Sequence, residues 1–293
     1  LWRSWKMWTR DDFCVFILSH ARADNVITYK TLRNNNYTGE IYIIIDDEDP
    51  QKDKYHENYG DKIIEFSKDE IGKTFDLGDI RDDKKGVVIY ARNFCFEAAK
   101  QKNKSYFLEL DDDYKCFGKR YIERGKLKQD KITNLDKLFA ITLDFYENIP
   151  KCKTICYSQG GDYIGGKNSY TIKKGITRKA MNTFFCSTQR PFSFVGRVNE
   201  DVNTYTTLGQ RGELLMSVAD VNIEQCETQQ NSGGMTETYI DNGTYYKTIY
   251  SVMYSPSCVK IATMPTVSHT RVHHHVTWNN CVPLILNERY KKR

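Results

Sequence analysis

The sequence predicts an α/β protein built on a mostly parallel central sheet flanked by helices. Three observations carry this. Phe13-Cys14-Val15-Phe16-Ile17-Leu18 and Ile41-Tyr42-Ile43-Ile44-Ile45 are unbroken apolar runs of strand length, with a helix-length segment between them. Continuous rather than alternating hydrophobicity marks strands buried on both faces, as in parallel sheets, and strand-helix-strand is the unit that builds such sheets. Third, the runs end in acid: Asp46-Asp47-Glu48-Asp49 follows one, and Asp111-Asp112-Asp113 follows Ser105-Tyr106-Phe107-Leu108-Glu109-Leu110. In open α/β sheets the carboxyl ends of the strands face the ligand crevice.

Composition narrows the class. A chain of 293 residues can bury a large core, and no apolar run approaches the ~20 residues of a membrane span. The amino terminus lacks a signal-peptide pattern, and its start at Leu1 rather than Met suggests a trimmed chain. Nine cysteines without CxxC pairs fit reduced thiols in a cytoplasmic setting, with Cys152 and Cys156 on one face of a strand as core packing. Net charge is +5, too small by itself to establish a nucleic-acid partner. Its distribution says more: Lys115, Lys119, Arg120, Arg124, Lys126 and Lys128 follow the acidic triplet, and Lys291-Lys292-Arg293 ends the chain. With 20 tyrosines these supply phosphate-contacting and stacking groups.

In chain order, Trp2, Trp5 and Trp8 are spaced for one face of a short helix packed on the body. After the first strand, Asp24 is placed to cap a helix to about Leu32, which Asn34-Asn35-Asn36 and Gly39 end. Lys62 to Phe66 reads as a third strand, 71–85 as a glycine-punctuated loop, and Tyr90-Ala91-Arg92-Asn93 as the start of a helix to about Lys100. Residues 114–131 read as a basic hairpin turning at Gly118 or Gly125, and Asn134 caps a helix whose apolar stripe runs from Leu135 to Tyr146. Cys152–Tyr157, Leu214–Ala219 and Val259–Thr263 read as strands, a helix runs from Asn199-Glu200-Asp201 to Leu208, and Tyr245–Tyr254 is helical. Gly160-Gly161 lets a ligand approach backbone closely, but the GxGxxG order of a dinucleotide site is missing. His273-His274-His275 lies in a strand, with His273 and His275 on one face and His274 on the other.

Three adjacent carboxylates repel unless a cation joins them, and a divalent ion carrying a phosphorylated ligand is the simplest one. With a second acidic knot, a histidine cluster and strand ends bearing Arg22 and Asp46, the inventory fits a metal-dependent enzyme acting on a nucleoside diphosphate.

Phe107-Leu-Glu-Leu-Asp-Asp-Asp-Tyr114 resembles the DxD segment of GT-A glycosyltransferases, Asn199-Glu200-Asp201 their xED motif, and His273-His274 their carboxy-terminal metal histidine. More narrowly, an ordered set resembles the TET-associated glycosyltransferases of bacteriophages. It comprises Ser19-His-Ala-Arg-Ala-Asp-Asn25, Ala91-Arg-Asn93, Arg197-Val-Asn-Glu-Asp-Val-Asn203, Gln229-Gln-Asn-Ser-Gly-Gly-Met235 and His273-His-His-Val-Thr-Trp278. The resemblance spans about residues 13 to 286. Two positions depart from it: Ala21, where glycine is expected, and His275, where a basic residue such as arginine is expected.

The resemblance implies a single GT-A-type catalytic domain over 1–293, with a nucleotide-sugar half at about 13–113 and an acceptor half at about 114–293. It implies transfer of a sugar from a UDP-sugar to 5-hydroxymethylcytosine in double-stranded phage DNA, in the cytoplasm of the infected bacterium, with Mn²⁺ or Mg²⁺. Asp113 and Asp111 would hold the metal, with His273 or His274 as a further ligand. Asp201 would be the base of an inverting reaction, with Glu200 as the alternative. Ser19, Arg22, Asp46 and Asp111 would hold the nucleotide, Arg92 and Asn93 the diphosphate or sugar, and Gly160 and Gly161 would lie against donor sugar or acceptor. The competing readings are a metal nuclease or nucleotidyltransferase, a catalytically silent DNA-binding module, and a glycosyltransferase acting on protein or glycan.

Overall fold

The structure is a computed structural model, and it describes residues 10–78, 88–226, 236–265, 270–281 and 289. The tryptophan triplet at 2–8, the Gln229–Met235 loop and the basic carboxy-terminal triplet lie outside these. Among the described residues no helix is long and apolar enough to cross a membrane.

The first half alternates strand and helix: β1 (Phe13–Leu18), α1 (Ile27–Asn34), β2 (Glu40–Asp46), α2 (Lys52–Tyr59), β3 (Ile63–Phe66), α3 (Lys68–Ile71), α4 (Val88–Gln101) and β4 (Tyr106–Asp111). The second half contains the hairpin β5 (Tyr114–Glu123) and β6 (Lys126–Lys131), then α5 (Leu135–Glu147), β7 (Cys152–Gln159), α6 (Tyr170–Lys174), β8 (Ile176–Thr177) and β9 (Phe184–Ser187). It closes with α7 (Glu200–Gln210), β10 (Leu214–Gln225), α8 (Thr236–Tyr254), β11 (Val259–Pro265) and β12 (Thr270–Val276).

Ten strands share one sheet in the order β3-β2-β1-β4-β9-β7-β10-β5-β6, with β8 on β10, while β11 and β12 form a separate ribbon. The segment β3-β2-β1-β4 is parallel throughout. Beyond β4 the sheet is mixed: β9 runs antiparallel to β4, β7 parallel to β10, and β5 antiparallel to β10. All six residues of β1 are buried, as an apolar run covered on both faces requires. One core packs Val15, Ile43 and Leu108 against Phe139 and Leu143 of α5; the other packs Phe16 and Phe107 against Cys95 and Phe96 of α4.

Chain order reverses beside β1, since β2 leaves one side of it and β4 returns on the other. Leu18 pairs with Asp111, so the loop after β1 and the acidic triplet emerge together at this switch point.

Several boundaries differ from expectation. Asp24 caps nothing; Val26 occupies the N-cap, and Asp24 pairs with Lys54. Asn134 does cap α5, its Oδ1 accepting from the Lys137 amide at 2.8 Å. The hairpin turns at Arg124-Gly125, where both residues have positive φ; Gly118 lies within β5 against Asn222. β10 runs on to Gln225, because an irregularity between Val218 and Asn222 interrupts the pairing without ending the strand. α2, charged and burying only Tyr55, and β9, four residues long, carry too little periodicity to announce themselves.

Candidate active site

Arg92 is the physical centre of the site. It sits inside α4 and is 2% exposed. Its Nε donates to Glu200 Oε1 at 3.0 Å, its Nη2 donates to Asp111 Oδ1 at 3.0 Å, and its Nη1 stands 3.7 Å from Glu109. The Phe184 and Phe194 rings lie 4.9 and 5.8 Å from the guanidinium carbon. One fixed fork therefore ties β4 to the first turn of α7, joining acidic groups that are 89 residues apart in the chain. Burial drives the Glu109 carboxyl well above the usual carboxylate range, partly opposed by Arg92.

The acidic triplet divides its labour. Asp112 is buried, accepting from Ser19 Oγ and Arg22 Nη1, each at 2.6 Å. It thereby fixes the loop after β1, while Tyr55 meets Ser19 Oγ at 2.6 Å and accepts from the Arg22 amide at 2.9 Å. Asp111 accepts from Arg92; burial raises its pKa, and Arg92 works against that. Asp113 is different, because its Oδ1 is buried and meets no donor among the described residues. Burial, then Asp111 and Asp112, push its carboxyl up to about 7. A buried oxygen without a donor, beside two more carboxylates, fits a hard divalent cation.

A second acidic grouping is already neutralised. His20, Asp46 and Asp49 bring potential ligand atoms within 4.8 Å of one another. Lys68 Nζ, however, lies 2.7 Å from Asp46 Oδ1, and His20 Nδ1 lies 2.7 Å from Asp46 Oδ2. Hydrogen bonding to Asp46 raises the His20 pKa. Protein cations flank these carboxylates, whereas within the acidic triplet Asp113 Oδ1 is a buried oxygen without a hydrogen-bond donor among the described residues.

In the loop between them, Ala21 has φ +56°, the left-handed region that glycine favours, with its amide donating to Asp49 at 2.9 Å. The position where the resemblance expects glycine thus has a glycine-type backbone.

Asp201 follows Glu200 in the first turn of α7 and is buried. Its Oδ1 accepts from the Val202 amide at 2.7 Å. Burial, then the Glu200 charge, raises its pKa to about 6, against the pull of Lys247 and Arg92. Just before it, Asn199 has φ +57°, and its amide nitrogen approaches the Lys247 carbonyl and Ser251 Oγ at 3.0 Å and His274 Nδ1 at 3.2 Å.

The histidine strand is thereby attached to the second acidic motif. The His273 and His274 rings lie 4.3 Å apart at 32°, closer than simple strand alternation implies. Burial, and then cationic neighbours, lower His273 to about 4; burial, then His273, lowers His274 to about 3. Both are neutral near pH 7, the form that ligates metals. The Lys247 carbonyl can only accept, which orients the Asn199 amide with its N–H groups outward. Those two N–H groups are shared among three neighbours, the Lys247 carbonyl, Ser251 Oγ and His274 Nδ1. Among the described residues, the histidines do not close with Asp111 and Asp113 into a group whose ligand atoms all lie within 4.8 Å.

The remaining sequence candidates separate. Asn93 is bound into the fold, donating to the Ile89 and Phe194 carbonyls at 3.1 Å and accepting from the Phe194 amide at 2.9 Å. Arg92 is turned into the carboxylate cluster rather than outward. Gly160 and Gly161 are exposed, and a Cβ added at either meets nothing within 4 Å. The tasks of Asp112 and Asn199 had no sequence signal, since each depends on partners distant in the chain.

No curated protein matches the chain significantly. Among solved structures, glucosyl-3-phosphoglycerate synthase from Mycobacterium tuberculosis, in complex with Mg²⁺ and uridine diphosphate, is similar at a TM-score of 0.45 and 9% identity, over 93% of this chain and 88% of that one. Mannosyl-3-phosphoglycerate synthase from Rubrobacter xylanophilus is similar at a TM-score of 0.39 and 9% identity, over 90% and 86%. The parallel β3-β2-β1-β4 half, continued by mixed strands and flanked by helices, is the α/β architecture that the sequence predicted. The sequence model of the TET-Associated Glycosyltransferase family matches residues 13–234, most of the chain, and the protein belongs to that glycosyltransferase family.

Proposed function

We propose that this enzyme transfers a sugar from a UDP-sugar to the hydroxymethyl group of 5-hydroxymethylcytosine in double-stranded phage DNA, with inversion and with Asp201 as base. The observation that carries the reading is the Asp111–Arg92–Glu200 link, which sets a diphosphate-type acidic strand end beside a carboxylate of raised pKa. The family supports the glycosyl-transfer chemistry, and the sequence resemblance supports the acceptor.

Asp113 and Asp111, with His273 as the preferred further ligand and His274 next, would hold Mn²⁺ or Mg²⁺, which when bound offsets the negative charge of a departing diphosphate. Ser19, Arg22 and Asp46 would hold the nucleotide, with Asp112 keeping the first two in place. Arg92 is better used as a positioning residue than as a donor contact, since its Nε and Nη2 are bound by Glu200 and Asp111 and its buried Nη1 faces Glu109. Glu200 is likewise engaged by Arg92, which leaves Asp201 to take the proton of the attacking hydroxyl. A carboxylate titrating near 6 is ionised at neutral pH and more basic than an ordinary aspartate, as a general base needs.

The test is incubation of hydroxymethylated duplex DNA with Mn²⁺ and a panel of UDP-sugars, followed by nucleoside mass spectrometry. The expected result is a mass gain of one glycosyl residue on 5-hydroxymethylcytosine with one donor, abolished in Asp113→Ala. No gain with any donor, or a gain on protein or glycan instead, overturns the acceptor assignment.

A further inference from the structure

A cleft of about 630 Å³ opens between the Gly161–Lys179 segment and Trp278. Its aromatic walls are Tyr170, 58% exposed, and Trp278. Trp278 also stacks on Tyr205, with ring centroids 5.4 Å apart at 19°. Tyr205 lies one helical turn beyond Asp201 on α7. One wall of the cleft therefore rests on the helix that carries the proposed base.

Charge in the cleft is one-sided. Residues 160–179 contain Lys167, Lys173, Lys174, Arg178 and Lys179 against the single acid Asp162, which Lys179 pairs at 2.6 Å. Lys174, Arg178 and Lys179 line the cleft, and Lys174 Nζ stands 5.9 Å from the Tyr170 ring centroid. The basic β5–β6 hairpin adjoins the same segment: Lys167 Nζ would stand 3.5 Å from a Cβ on Gly125, and Arg120 lies 4.4 Å from the Tyr163 ring centroid. A concave site with flat aromatic walls and a cationic rim suits a base with its phosphates, because every base has a stacking face and every linkage a negative charge.

We infer that this cleft seats the acceptor nucleobase, extruded from the duplex and stacked on Tyr170 and Trp278, with Lys174 and Arg178 on the flanking phosphates. The inference rests on the DNA acceptor of the proposed function. Extrusion is required because a hydroxymethyl group within a stacked pair does not reach a buried base on α7.

The test measures the full chain with a duplex carrying one 5-hydroxymethylcytosine beside 2-aminopurine. The wild type raises 2-aminopurine fluorescence on binding. Tyr170→Ala loses that rise and increases KM for DNA about tenfold, the range of one lost base–aromatic stack. Tyr170→Phe restores both. Lys174→Glu with Arg178→Glu also raises KM for DNA, while KM for the UDP-sugar stays unchanged in every variant. Trp278→Ala is avoided because of its packing on Tyr205. Unchanged DNA KM and fluorescence in Tyr170→Ala and the double variant overturn the cleft assignment while leaving DNA glycosylation standing. Wild-type failure to modify any DNA overturns both, and variant losses confined to a protein or glycan acceptor overturn the nucleobase assignment.

Discussion

Asp201 and Glu200 are adjacent carboxylates at one helix start, yet they sit in different surroundings. Glu200 accepts from Arg92, whereas Asp201 has only the Val202 amide as a hydrogen-bond donor among the described residues and carries the raised pKa. A buried acid with a raised pKa binds its proton more tightly in the folded state. Its ionisation therefore costs stability as pH rises from the unfolded value near 3.8 to about 6, and the cost is constant above that. Asp201→Asn removes this cost. We predict that it stabilises the protein at pH 7 by about 1–3 kcal/mol in thermal unfolding while abolishing transfer and sparing donor binding. The wild-type kcat/KM should fall on the acid side with an apparent pKa near 6, and an acid limb near 4 would remove Asp201 from the role.

At the scale of elements, the acidic strand end and α7 are held together by one side chain on a third element. Arg92 balances Glu109, Asp111 and Glu200 in a region with little water access, so removing it leaves carboxylates buried without their cation. Arg92→Ala is expected to lose about 3–5 kcal/mol. Arg92→Lys keeps the charge but not the planar fork that reaches Asp111 and Glu200 together. We predict that it lowers kcat at least about tenfold, a barrier of roughly 1.4 kcal/mol, with KM for the UDP-sugar little changed. A loss carried mainly by donor KM would instead make Arg92 a donor contact. Asp112 serves the neighbouring connection, anchoring the loop after β1 to the end of β4 through Ser19 and Arg22.

Across the whole molecule, the sheet separates two surfaces. Its parallel end carries the acidic crevice, and its far edge carries the basic β5–β6 hairpin, continuous with the aromatic and cationic cleft near α7. A net charge of +5 is small, so under the proposed DNA acceptor attraction to DNA rests on this local clustering. KM for DNA is therefore predicted to rise steeply with salt, with a log–log slope near 0.9 for each phosphate contacted. Lys174→Glu with Arg178→Glu should flatten that slope. A salt-independent KM would remove the phosphate-contacting surface.

The sequence by itself determined the α/β class, the parallel strands β1, β2 and β4, the Asn134 cap and the two acidic motifs. Those features are local: continuous apolar runs, a side chain reaching its own helix start, carboxylates adjacent in the chain. At Ala21, where the family resemblance expects glycine, the structure has φ +56°. Tertiary structure decided what periodicity does not encode. It turned Arg92 inward onto three carboxylates, gave Asp112 the loop after β1, set His274 against Asn199 and stacked Trp278 on Tyr205. Each of these contacts joins elements distant in the chain, and α2 and β9 went unseen because neighbouring elements hold them rather than their own pattern. Local chemistry specified which groups are present; burial and long-range pairing decided which are free to react.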